Sequence, residues 1–277
     1  MSTTASRLDA PTSAGLLAGK RLLITGVLTP KSIAYAIADA CVHNGASVVL
    51  TSFGRAMSLT EKSAQRLGLD GPVLELDATK PEQMQAVAHT LHEQWGSLDG
   101  VLHAIGFAPD DALGGKFMST PWESVATAMQ VSAFSLKSMA AAFAPLMPNG
   151  GSIAAITFDA TVAWPIYDWM GPTKAALESV VRYLARDLGR QGIRVNSMSA
   201  GPLETMAAKS IPGFDAIKNA WSSQSPLGWD SSDPSVVAGT IVYLMSDLSR
   251  GVTGELIHVD GGYHPMGAPI AKATNGQ

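Results

Sequence analysis

Residues 21–53 read RLLITGVLTPKSIAYAIADACVHNGASVVLTSF. A short apolar run, RLLITG, passes through a loop into a helix-forming stretch from Ser32 to about Asn44. A second β-branched run, SVVLTS, follows. Two strands separated by a helix of this length cannot form a hairpin, so they pair in parallel through a right-handed crossover. The same alternation continues outward in PVLEL, GVLHAIG, GSIAAIT, IRVNSMS and ELIHVDGG, with helical patterns over Pro81 to Trp95, Pro121 to Met147 and Tyr167 to Gln191. Several runs are apolar on both faces, as strands are when helices cover both sides of a sheet. The pattern predicts an α/β fold: one doubly wound, Rossmann-like domain with a seven-stranded parallel sheet flanked by helices. Its expected limits are residues 19 to 266. Residues 1–18 are expected to be a flexible N-terminal segment and 267–277 a tail, because both stretches are small, polar or broken by Pro and Gly.

Composition narrows the function classes. The 277 residues are 46% hydrophobic and only 15% charged, with a net charge of −4. The low charge implies that some surface is hidden in a homo-oligomer. No Lys/Arg run suggests a strip that would release counterions from a phosphate backbone, so nucleic acid is not an expected partner. Cys41 lies among apolar neighbours and reads as a buried thiol in a reducing, cytoplasmic compartment. The start of the chain lacks a cationic and apolar leader pattern, and nowhere do eighteen apolar residues run together, so neither export nor a membrane is expected. The six His residues are scattered away from ligand spacing, and no metal site is expected.

In a doubly wound sheet the ligand crevice lies at the carboxyl ends of the strands. The first strand exits through Thr25 and Gly26 into a loop ending at Ser32, where the hydroxyl and backbone amide open a helix able to seat a pyrophosphate. The next exits bring Phe53, Asp77 and the run Ala104, Ile105, Gly106 to the same edge. There Phe53 can stack on an adenine, Asp77 can accept from its amino group, and Gly106 can admit backbone near a ribose. The second strand ends without the acidic residue that usually takes a ribose 2′-hydroxyl, and Arg55 offers a partner for the phosphate of NADPH. A lone Arg is weak support, so the reading favours NADH over NADPH. Further on, Tyr167 and Lys174 are seven apart. On a helix this is two turns, which places both on one face about 10 Å apart. A neutral tyrosine can donate to a carbonyl oxygen gaining charge, and an ammonium suits ribose hydroxyls. His103 is expected to be buried and neutral. Met118, Met129, Met139, Met147, Met198 and Met206 offer an adaptable lining for an apolar chain, and Trp164, Trp221 and Trp229 a wall.

The order of Gly26, Asp77, HAIGF at 103–107, Tyr167 with six residues before Lys174, IRVNSMSAGPLET at 193–205 and VDGG at 259–262 resembles the short-chain dehydrogenase/reductase superfamily. More narrowly it is similar to the NADH-dependent enoyl-acyl carrier protein reductase branch, over residues 18 to 266. The classical branch has its Tyr four before the Lys, where this chain has Met170. The resemblance implies that Gly26, Ser32, Ile33, Phe53, Asp77, Ala78, Ile105, Gly106, Lys174, Leu203 and Thr205 bind the dinucleotide. It implies that Tyr167 and Lys174 form the catalytic set with Phe158, which stands where many members carry a second tyrosine, as in the mycobacterial type. It further implies that Tyr167, Phe107, Met206 and Ile211 meet the substrate, that 206–229 is the substrate loop, and that the enzyme is a homotetramer. The substrate would be a trans-2-enoyl thioester on acyl carrier protein or coenzyme A. Two alternatives stay open: a keto- or hydroxy-substrate dehydrogenase, which would place Tyr at 170 and Ser at 157 where this chain has Met170 and Thr157, and a non-catalytic dinucleotide-sensing protein.

Overall fold

The computed structural model describes residues 15–267 apart from Ser210 and Pro212. Seven strands, β1 (Arg21–Ile24), β2 (Ser47–Ser52), β3 (Leu74–Glu75), β4 (Gly100–His103), β5 (Gly151–Thr157), β6 (Ile193–Ala200) and β7 (Leu256–Val259), form one sheet in the order β3-β2-β1-β4-β5-β6-β7. Every neighbouring pair is parallel. The order reverses between β1 and β4, which opens a crevice at their carboxyl ends.

Helices cover both faces. On one side α1 (Ile33–His43), α2 (Met57–Arg66) and a late helix, Ser235–Met245, bury Ile37, Cys41, Ile241 and Met245 against Leu22, Leu50 and Leu102. On the other, α3 (Pro81–Trp95), α5 (Ser135–Phe143) and α6 (Met170–Leu188) enclose a core built on Leu91, Leu136, Met139, Phe143, Leu177 and Val181, and α4 (Trp122–Met129) packs Ala128 against Ala108, Ala112 and Leu113. α4 and α5 are one rod joined by a wide i to i+5 turn at Gln130–Phe134, so the helix expected over 121–147 carries a local bulge of the kind found beside functional sites. Between β6 and the late helix, now α9, lie α7 (Met206–Lys209) and α8 (Phe214–Gln224).

Three expectations are corrected here. Residues 15–18, set aside with the N-terminal segment, belong to the fold: Leu17 is fully buried and its N–H donates to the Asn44 carbonyl at 2.9 Å. The rest of that segment, 1–14, and the tail from 268 lie outside the described residues. The helix expected from Tyr167 starts at Met170, so Tyr167 lies in the turn before it. Of the methionines, Met139, Met147 and Met198 are core and Met118 is 93% exposed, so these four are not placed as a pocket lining. Cys41 is fully buried, and burial pushes its thiol up to about 12.

Candidate active site

At the β1 exit, Gly26 has φ +81°, a left-handed conformation that favours glycine, and a Cβ there would lie 2.1 Å from the Ala104 carbonyl oxygen. The missing Cβ lets the β1 and β4 exits approach this closely. The loop beyond is folded by Ser32, whose hydroxyl accepts from the N–H groups of Leu28 (3.2 Å) and Thr29 (3.0 Å). The Ser32 side chain therefore shapes the loop rather than capping α1, contrary to the expectation from its position. The amides of Ile33 and Ala34 consequently have no acceptor among the described residues, and they open an 11-residue helix. Such an end favours an anion.

The neighbouring exits add polar and apolar surface. Phe53 is half exposed. Asp77 Oδ1 accepts from the Thr79 N–H and hydroxyl, the local turn of an Asx residue, and its other carboxylate oxygen makes no hydrogen bond among the described residues. Ala78 is buried behind it. Leu203, after β6, shares a small cleft with Lys31 of the α1 loop, which joins the two ends of this edge, and Thr205 caps α7 by accepting from the Ala208 N–H. Gly106 is open: a Cβ on it would meet only Met170 Cε at 3.7 Å and Lys174 Nζ at 3.9 Å. A cradle with free helix-end amides, an exposed ring, a free carboxylate oxygen and an ammonium against an uncrowded glycine fits a dinucleotide.

Lys174 is buried on α6 and donates to the Ile156 carbonyl at 3.1 Å. The next residue of β5, Thr157, donates its hydroxyl to Glu178 Oε1 at 3.0 Å. Glu178 lies one turn beyond Lys174, a neighbouring position that the sequence analysis missed although its i+4 spacing was readable. Burial lowers the Lys174 amine to about 8, while the Glu178 carboxylate pulls it up; Glu178 is itself raised, chiefly by burial. On β4, His103 is fully buried and drawn down to about 3, first by burial and then by the Lys174 charge. Ser135 donates to the Val131 carbonyl, so the His103 Nε2–H donates to Ser135 at 2.7 Å and Nδ1 is an unpartnered acceptor. The wide turn of the α4–α5 rod places Ser132 against the backbone N–H and C=O of half-exposed Phe107, both at 2.8 Å. No sequence pattern announced that clasp.

Tyr167 is buried, and its hydroxyl has no hydrogen-bond partner among the described residues. Burial first and the Glu178 charge second push its pKa above the ordinary value, so the phenol holds its proton. Phe158 meets it edge-on, with centroids 5.2 Å apart, and an aromatic group continues through Trp164 and Trp221 to Tyr263, which stacks on Trp221 at 3.7 Å. Tyr263 was not foreseen. Trp229 instead donates to the Pro202 carbonyl and packs toward the core. Ile211 lines a surface cleft with Phe214, Lys209 and Lys218, and Met206 is 55% exposed on α7.

Comparison with known proteins extends this geometry. The family model for "Enoyl-(Acyl carrier protein) reductase" matches residues 26–264. An enoyl-[acyl-carrier-protein] reductase [NADH] of Mycolicibacterium smegmatis is 40% identical over 262 residues, 90% of this chain and 97% of that protein. A Rhizobium meliloti enzyme of the same description is 43% identical over 267 residues, 95% and 97% of the two chains. The crystal structure of the Anaplasma phagocytophilum reductase in complex with NAD superposes with a TM-score of 0.89 at 39% identity, covering 94% of this chain and 99% of that one. A family model matching residues 26–264 and relatives 40% to 43% identical over 90% or more of its length show that the chain belongs to the enoyl-(acyl carrier protein) reductase family.

Proposed function

We propose that this protein reduces trans-2-enoyl thioesters to saturated acyl thioesters with NADH, closing a round of fatty acid elongation. The observation that carries the reading is the buried Tyr167 phenol, protonated and without a partner among the described residues, seven residues before a buried ammonium that reaches the β4 exit. When bound, the dinucleotide supplies the hydride. The chain supplies position and charge. The amides of Ile33 and Ala34 hold the pyrophosphate, with the loop shaped by Gly26 and Ser32. Phe53, Asp77 and Ala78 take the adenine end. Ile105, Gly106, Leu203 and Thr205 line the ribose and nicotinamide end, where the Lys174 ammonium meets ribose hydroxyls. The Tyr167 hydroxyl donates to the thioester oxygen as that oxygen gains charge, and protonation of the α-carbon completes the product. Phe158 fixes the Tyr167 ring and donates nothing, and Phe107, Met206 and Ile211 border the acyl chain.

The dehydrogenase alternative is disfavoured by one contact. The position where that branch needs a serine holds Thr157, and its hydroxyl is buried and donated to Glu178. NADH over NADPH is supported by the relatives described as NADH enzymes. The carrier is acyl carrier protein or coenzyme A, and the compartment is the cytoplasm. None of the described helices is long and apolar enough to cross a membrane. A homotetramer is supported by Met118, Trp122, Phe134 and Tyr183, 55% to 93% exposed across the α4, α5 and α6 side; a monomeric mass in solution contradicts it.

The test follows NADH absorbance with crotonyl, octenoyl and acetoacetyl thioesters. Oxidation with the two enoyl substrates alone is expected. Oxidation with acetoacetyl thioester alone would support the dehydrogenase, and NADH binding without turnover would support the sensor.

A further inference from the structure

Tyr167 is flanked by the two non-glycine residues with positive φ among the described residues, Ile166 at +61° and Asp168 at +40°. A β-branched residue in the left-handed region is an outlier that persists only where surrounding contacts impose it, and such outliers gather at functional sites. The contacts here come from one distant loop, residues 112–117. The N–H groups of Gly115 (2.6 Å) and Lys116 (2.9 Å) both donate to Asp168 Oδ2. Gly114 N–H donates to the Ile166 carbonyl at 2.9 Å, and Trp169 N–H to the Ala112 carbonyl at 3.2 Å. The Trp169 indole donates to the Phe117 carbonyl at 2.9 Å and stacks on its ring, centroids 4.8 Å apart. On the other side, Ile166 Cδ1 presses on Gly213, where a Cβ would come within 2.8 Å.

Every backbone neighbour of Tyr167 is thus tied to loop 112–117, while its own hydroxyl has no partner among the described residues. The one side chain in this clasp that binds two backbone donors at once is Asp168. We propose that Asp168 is a positioning residue for the reduction: its carboxylate holds the turn in its left-handed form and so aims the Tyr167 hydroxyl at the substrate oxygen. This rests on the catalytic role given to Tyr167 above. Asp168 does not touch the dinucleotide edge, so its loss acts on turnover and not on cofactor affinity.

The experiment is a double-mutant cycle read in kcat with crotonyl thioester and in Kd for NADH by fluorescence. Asp168→Ala is expected to lower kcat about 10- to 100-fold, as misplacement of a reacting group by about 1 Å does, with Kd for NADH within twofold. Asp168→Asn, which tolerates the left-handed region and keeps an acceptor oxygen, is expected to stay within about fivefold of the parent. Asp168→Gly relaxes the backbone without restoring the carboxylate, so it guards against a misfolded Ala variant and is expected to be as slow as Ala. In a Tyr167→Phe background, Asp168→Gly is expected to cost no more than about twofold, since the hydroxyl it aims is already gone. A parental kcat for Asp168→Gly, or a full additive loss in the Tyr167→Phe background, overturns the proposal. If Tyr167→Phe alone leaves kcat intact, the catalytic reading itself fails, a result distinct from a slow Tyr167→Phe beside a normal Asp168→Gly.

Discussion

Lys174 stands on a 19-residue helix whose buried face repeats through Thr173, Lys174, Leu177, Glu178 and Val181, whereas Tyr167 stands in an irregular turn three residues before that helix begins. The first side chain is placed by a periodicity that its own segment carries, reinforced where consecutive residues of β5, Ile156 and Thr157, receive the heads of Lys174 and Glu178. The second is placed by a loop some fifty residues away in sequence. Both are buried, yet a helical position draws on backbone bonds it shares with its neighbours, and the turn draws on contacts that any change in the distant loop can remove. Lys174, proposed to meet the cofactor, is therefore placed by a regular element, and Tyr167, proposed to meet the reacting oxygen, by tertiary contacts.

The sharpest way to separate the halves is Tyr167→Phe. Loss of one oxyanion donor is expected to cost about 10² to 10³ in kcat, about 2.7–4 kcal/mol, with Kd for NADH by fluorescence within twofold. An equal loss of cofactor affinity would join the two halves again. Next comes Gly26→Ala, which strains a residue at φ +81° and drives a Cβ into the Ala104 carbonyl. A loss of about 3 kcal/mol in denaturant unfolding is expected, together with weakened NADH binding, because the β1 and β4 exits must part.

The pH dependence of cofactor binding probes the helical half. The Lys174 amine sits at about 8, below the ordinary 10.5. Between those values the unfolded chain binds more protons than the folded one, so folding stability rises with pH across that window, by at most about 1.4 kcal/mol per unit. NADH affinity is expected to move the opposite way, falling as pH rises through 8 and the ammonium facing His103 and Glu178 loses its charge. A flat titration of Kd from pH 7 to 9 would remove Lys174 from the cofactor's contacts. The smallest effect belongs to Gly106→Ala: its Cβ would make only ordinary contacts, with 3.7 Å the nearest, so apo stability is expected within about 0.5 kcal/mol of the parent while NADH binding weakens. Unchanged NADH binding would show that nothing approaches this glycine closely.

Much of this was legible before any coordinates. All seven strands lie where β-branched runs mark them, and α3 spans Pro81–Trp95 as its proline start and length imply. Gly26, Asp77 and Gly106 reach one edge because parallel strands all end on the same side of the sheet, and Lys174 reaches Gly106 from α6. His103 in the middle of an apolar run, GVLHAIG, is buried and neutral because nothing beside it compensates a charge. The seven-residue spacing of Tyr167 and Lys174 was read along an assumed continuous helix, and periodicity measured that way cannot see that Ile166 and Asp168 leave it. Ser132, Tyr263 and loop 112–117 carried no local signal, since each acts through a partner distant in the chain.

Strand and helix order, the parallel sheet, the edge where its strands exit and the chemical identity of the groups delivered there were written in the chain. These follow from short-range periodicity and from a crossover handedness that all L-residue chains share. How the phenol is held, that Ser32 serves its loop and that Thr157 is spent on Glu178 emerged with the packed fold. Those outcomes depend on hydrogen bonds between segments whose meeting no local pattern encodes, because a buried donor takes whichever acceptor the packed fold brings within reach.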